Sequence, residues 1–76
     1  MSRQLQLALG SAVLFAALDG AQPQLCAARI GAAARCTVLG GVLVNDIAVD
    51  GETAYSTVRG TDGRWSVVET AWRSLL

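Results

Sequence analysis

The chain has 76 residues, 53% of them hydrophobic and 16% charged, with six Arg, six acidic residues, no His and a formal net charge of zero. A chain this short forms one small domain with a stability of a few up to about ten kcal/mol, which excludes a multidomain enzyme. Zero net charge gives no general pull toward nucleic acid or an anionic membrane. Without His, a Ser–His or Cys–His nucleophile cannot be built within one chain, and two Cys cannot alone complete a four-ligand zinc site.

The apolar content exceeds what a small core hides, which points to self-association, a partner or a membrane-directed segment. Residues 1–45 carry Arg3, Arg29 and Arg35 against Asp19; residues 46–76 carry Asp46, Asp50, Glu52, Asp62 and Glu69 against Arg59, Arg64 and Arg73. This asymmetry fits two structural halves within one domain of residues 1–76, a helical half over 1–41 and a β half over 42–76.

Residues 4–18, QLQLALGSAVLFAAL, hold no charge. They are apolar on nearly every side, and their length is short of the roughly 20 residues that span a bilayer. The segment predicts a core or interface helix, with Leu7, Leu14 and Phe15 as its partner-facing residues. A membrane contact through residues 4–18, or an export signal over residues 1–20, is the alternative. Asp19-Gly20-Ala21-Gln22-Pro23 breaks the chain. A second helix is expected over 23–38, with Leu25, Ala28, Ala32 and Cys36 near one face, and Gly40-Gly41 stops it.

Cys26 and Cys36 are ten residues apart. On one helix their Cα atoms would be about 15 Å apart at 1.5 Å per residue. A disulfide needs about 4.4–6.8 Å. A bridge and a continuous helix therefore exclude each other, unless the helix breaks near Gly31. Free buried thiols and a bridge closing a short loop in an exported protein both stay open.

From residue 42 the period changes to two. Val42–Val49 reads as a strand with Leu43, Ile47 and Val49 on one face. Asp50-Gly51 reads as a type I′ hairpin turn. Thr53–Arg59 is the second strand, and Gly60-Thr61-Asp62-Gly63 a second turn. Arg64–Arg73 is the third strand, with Trp65, Val67 and Ala71 opposite Val68 and Trp72. The expected fold is α+β, in the order ααβββ, with two helices on a three-stranded antiparallel meander.

Val49-Asp50-Gly51-Glu52-Thr53-Ala54 and Asp62-Gly63-Arg64-Trp65-Ser66-Val67-Val68 resemble the closing strands of small actinobacterial nuclear transport factor 2-like domains. The resemblance covers residues 42–72. It implies a sheet of that kind and a tendency to dimerise. A small-molecule-binding or enzymatic dimer is the functional reading it offers. The family's full domains are longer, and its enzymes commonly use an Asp/His pair that this chain lacks. Gln24–Ala32 resembles part of a helix-turn-helix, but Thr37 stands where a branched apolar residue belongs. Nucleic acid is therefore not an expected partner.

Asp50 and Asp62 occupy turns, where Asp serves the backbone, and Asp46 is placed on the solvent face of its strand. No catalytic, cofactor-binding or metal-ligating residue is assigned. Trp65 and Trp72, seven apart, fall on opposite faces of a strand. Tyr55, Trp72 and Arg73 are the partner-face candidates, because aromatics and Arg are enriched at binding hot spots. The expected protein is small, cytoplasmic and non-catalytic, a homodimer or an adaptor or inhibitor of another protein. An exported or membrane-associated protein is the alternative.

Overall fold

A computed structural model of the chain describes residues 5–19 and 22–76. Seven antiparallel strands form two meanders. The first sheet has the order β1 (Gln6–Leu9), β2 (Ala12–Asp19), β3 (Gln22–Arg29), β4 (Arg35–Val38). The second has the order β5 (Leu43–Asp50), β6 (Thr53–Arg59), β7 (Trp65–Ala71). A short 3₁₀ turn, η1 (Trp72–Leu75), follows β7. The α+β expectation is overturned, because the two expected helices are the four strands of the first sheet.

The reason lies in pairing that a helix reading ignores. Gln4-Leu5-Gln6-Leu7 already alternates polar and apolar residues, which is the period of a strand. Gly10-Ser11 is a two-residue loop joining β1 to β2, since Leu9 and Ala12 are register partners. Gly10 has φ +64°, while among the described residues none other than glycine has positive φ. That is the type II′ hairpin pattern, with Gly first. The β5–β6 loop repeats it. Asp50 pairs with Thr53, so the loop is Gly51-Glu52, with Gly51 at φ +61°. The expected type I′ turn at Asp50-Gly51 is thus displaced by one residue, and Asp50 ends β5.

In β2 and β3 the Ala-rich composition does not produce a helix, because both faces of these strands carry contacts. Leu14, Leu25 and Ala27 point inward and are fully buried. Outward, Phe15 is the register partner of Cys26, which is in turn the partner of Cys36. Helix propensity differs by less than 1 kcal/mol per residue between most side chains, so such packing overrides it.

The second sheet follows the expected meander, with two changes. A register shift between Val44 and Asp46 places a bulge at Asn45. A bulge adds one residue and reverses the side-chain alternation across it. Leu43 is therefore exposed on the outer face while Ile47 is buried on the inner one. The third strand also stops at Ala71, and Trp72 and Arg73 belong to η1.

One core joins the two sheets. Leu14, Leu25, Ile47, Val58 and Trp72 are buried in it, and Leu7, Leu9 and Val68 pack against its edge. The connection Leu39–Val42 carries the chain from one sheet to the other. It is tied at both ends, by Leu39 N–H donating to the Pro23 carbonyl at 2.9 Å and Val42 N–H donating to the Arg59 carbonyl at 2.8 Å.

Candidate binding face and cleft

Three surfaces follow from this architecture. The first is the outer face of β5–β7. Register sets its rows: Leu43–Arg59–Trp65, then Asp46–Thr57–Val67, then Ala48–Tyr55–Glu69. Neighbouring strands lie about 4.8 Å apart, so each row is one contiguous strip. Four large apolar residues are exposed on or beside this face, with Val42 next to Leu43, Trp65 at 49% and Val67 at 63%. Arg59 sits in the first of these rows, Asp46 in the second and Glu69 in the third.

Tyr55 is half-buried in this face, as the register partner of both Ala48 and Glu69. Trp72 is not there. It is 4% exposed, and its indole Nε1–H donates to the Gly51 carbonyl at 3.1 Å. The expected grouping of Tyr55 with Trp72 is corrected to Tyr55 with Trp65. The two tryptophans do face opposite sides. The Tyr55–Glu69 register puts Tyr55 beside the odd-numbered residues of β7, and the chain turns inward after Ala71. Burying an indole with its N–H paired is the usual arrangement for Trp in a core.

The second surface is the outer face of the first sheet. Its row Gln6–Phe15–Cys26–Cys36 crosses all four strands, and Ala8–Val13–Ala28 runs beside it. The two sulfurs form a disulfide with the Cα atoms 4.0 Å apart. Strands replace the expected helix here, so the two cysteines stand directly opposite each other on neighbouring strands, instead of roughly three turns apart along one helix. Leu7, Leu14 and Phe15 do not share one interface. Leu14 is fully buried, Leu7 packs against the core, and Phe15 lies half-buried on the opposite side of the sheet.

The third surface is a cleft of about 290 Å³ where the Gly10-Ser11 turn, the end of β3 and η1 meet. Arg29 and Arg73 line it, together with Leu9, Ser11, Trp72 and Leu76. The Arg73 guanidinium carbon stands 5.2 Å from the centroid of the Trp72 ring. Arg29 is the register partner of Ala12, and Ile30 N–H donates to the Ser11 carbonyl at 2.8 Å, which fixes the turn against the end of β3. Among the described residues no Asp or Glu side chain lines the cleft.

The carboxylates serve local structure. Asp62 Oδ1 accepts from Arg64 N–H at 2.9 Å and shapes the β6–β7 loop. Asp46 is exposed, and its Oδ1 accepts from Ile47 N–H at 2.9 Å beside the bulge. Among the described residues no group of three or more Cys, Asp or Glu is placed to hold a metal ion. The placing of Arg29 with Arg73 was not legible in the sequence, because they stand 44 positions apart and only the meander topology brings them together.

The fold and these surfaces define a small all-β protein of two antiparallel sheets on one core. No known protein family, curated protein sequence or solved structure matches the chain.

Proposed function

We propose that the protein is a small, non-catalytic binding module that works by protein–protein association, and that its first partner is a second copy of itself. The observation that carries this reading is the outer face of β5–β7, where Leu43, Trp65 and Val67 lie exposed around Arg59. Isolated surface apolar residues are ordinary, but a contiguous group marks an interaction site. The occupant follows from charge. A two-fold interface brings the same patch from both copies together. A two-fold axis crossing the strands at the Thr57 row sets the Arg59 row of one copy over the Glu69 row of the other. Arg59 then lies one strand away from Glu69 of the other copy, Val67 meets Val67 and the apolar strip is covered, while the two Asp46 side chains face each other on the edge strand β5.

Light scattering after size exclusion tests this, with the protein at high micromolar concentration. A dimer for the wild-type chain and a monomer for Trp65→Glu are expected. A wild-type monomer, or a Trp65→Glu dimer as tight as wild type, would overturn it.

A second reading, on location, rests on the Cys26–Cys36 bridge. Disulfides persist in oxidising compartments and are rare in the cytosol, so the bridge favours an exported protein. That reading does not use residues 1–20 as a removable leader, because β1 and β2 supply Leu14 and Ala12 to the core. Intact mass of the protein from its native host, with and without thiol alkylation, decides it. Two alkylatable thiols would sink the reading.

A further inference from the structure

We infer that the cleft between the Gly10-Ser11 turn, the end of β3 and η1 is a binding site for a small carboxylate carried on an apolar body. This site is separate from the outer face of β5–β7.

Arg29 and Arg73 line it, and so does Leu76; among the described residues neither arginine forms an ion pair with an Asp or Glu side chain or with the Leu76 main-chain carboxylate. The one ion pair there is Arg64–Asp62, at 3.9 Å on another loop. Two unpaired cations facing one cleft repel each other, and an anion between them removes that repulsion. Guanidinium groups match a carboxylate in a bidentate fork. The Ser11 hydroxyl is a further donor on the same wall. The remaining walls fix the ligand's other half. Leu9 and Leu76 are half-buried apolar residues of the lining, with the buried Ala12 and Trp72 behind them, and a hydrated inorganic ion would leave the two leucines unused. The volume of about 290 Å³ lies near the lower end for small-molecule sites, which suits a ligand no larger than a substituted benzene ring.

The site is also held in place. The Ile30–Ser11 hydrogen bond anchors one wall, and the Trp72–Gly51 hydrogen bond anchors the other. Arg73 is further ordered over the Trp72 ring, a contact that favours a planar cation in one position. A preorganised site loses less side-chain entropy on binding.

The test is an amide and indole NMR titration of the full, oxidised chain. The signals to follow are the Gly10 and Ser11 amides and the Trp72 Nε1–H. The probes are phenylacetate, its uncharged amide phenylacetamide, inorganic phosphate, and the tripeptide Gly-Gly-Phe. Saturable shifts confined to the cleft are expected with phenylacetate. Binding should be at least tenfold weaker with phenylacetamide, and at least tenfold weaker for phenylacetate in Arg29→Gln or Arg73→Gln. Both arginines are exposed, so these variants should keep the wild-type spectrum elsewhere. Tighter binding of the tripeptide than of phenylacetate would support the site with a peptide C-terminus as its natural source. The reverse order would support it with a free acid as the source. The inference is overturned if phenylacetate produces no saturable shift, if phenylacetamide binds equally well, if phosphate binds as tightly as phenylacetate, or if both Gln variants bind like wild type.

Discussion

The two sheets bury their inner faces in the same core but present different outer faces. The first sheet puts Ala8, Val13, Phe15, Ala28 and the disulfide on its outer side, in rows without a charged residue. The second puts Arg59, Asp46, Glu69 and Tyr55 there, with Trp65 and Val67 between them. The first sheet is tied covalently across its last two strands. The second holds by alternation, two tight loops and the packing of Trp72 behind the Gly51 loop. A sheet with one polar, solvated face shows a period of two in its sequence, whereas a sheet apolar on both faces reads as a continuous run.

The two tryptophans offer the sharpest way to break this comparison. Trp72 is buried with its N–H paired, and Trp65 is half exposed on the outer face. Truncating a buried Trp costs about 3–5 kcal/mol through lost transfer energy and the cavity left behind. A chain of this size has about 4–11 kcal/mol in total. Trp72→Ala should therefore leave a marginal or unfolded protein. Trp65→Ala should cost under about 1 kcal/mol, as surface substitutions do, while reducing association. Urea denaturation monitored by far-UV circular dichroism measures both. Equal losses in the two variants would mean that the faces have been assigned wrongly.

The disulfide gives the next contrast. Crosslinking Cys26 to Cys36 closes a loop of sequence separation 10. The loop-entropy relation gives roughly 2.7 kcal/mol for a closed loop of about ten residues. The double variant Cys26→Ala/Cys36→Ala should lose about that much, and wild type in reductant should lose a similar amount. Hydrogen exchange should speed up first at the amides of β3 and β4, since β5–β7 contains no such tie. A midpoint unchanged by reduction would show that the first sheet is held by packing alone.

These contrasts also explain what the sequence displayed. Thr53–Arg59 alternates between buried Ala54, Ser56 and Val58 and the more exposed Tyr55 and Thr57, so its strand bounds are read directly. Val13, Leu14, Phe15 and Ala16 are all at least half-buried, and no period of two survives in them. Gly10-Ser11 was the available signal there, because Gly inside a helix costs about 1 kcal/mol and Gly at the first loop position suits a hairpin. The bulge at Asn45, which turns Leu43 outward, has no residue signature strong enough to anticipate. The candidate face was half legible. Tyr55 is part of it, but its companion is Trp65, because cross-strand register decides which residues share a face. Arg73, expected on the partner face with Tyr55, instead lines the cleft with Arg29, a long-range juxtaposition that only the topology creates.

The smallest effect tests the interior of the second sheet. Ser56 is fully buried between its register partners Ile47 and Val68, and its Oγ has no hydrogen-bond partner among the described residues. Leaving a buried hydroxyl unpaired costs about 1–3 kcal/mol of desolvation, whereas a methyl at the same point has none to lose. Ser56→Ala removes a single oxygen, and the small void it leaves offsets part of that gain. The expected result is a change between zero and about 1 kcal/mol in the stabilising direction, read as a higher urea midpoint with an unchanged slope. The equivalent inner-face position in the first sheet, Leu14, has no polar atom to remove, and Leu14→Ala there should only destabilise. A loss of more than about 1 kcal/mol in Ser56→Ala would mean that its hydroxyl is hydrogen-bonded in solution and that the second sheet depends on a polar contact in its core.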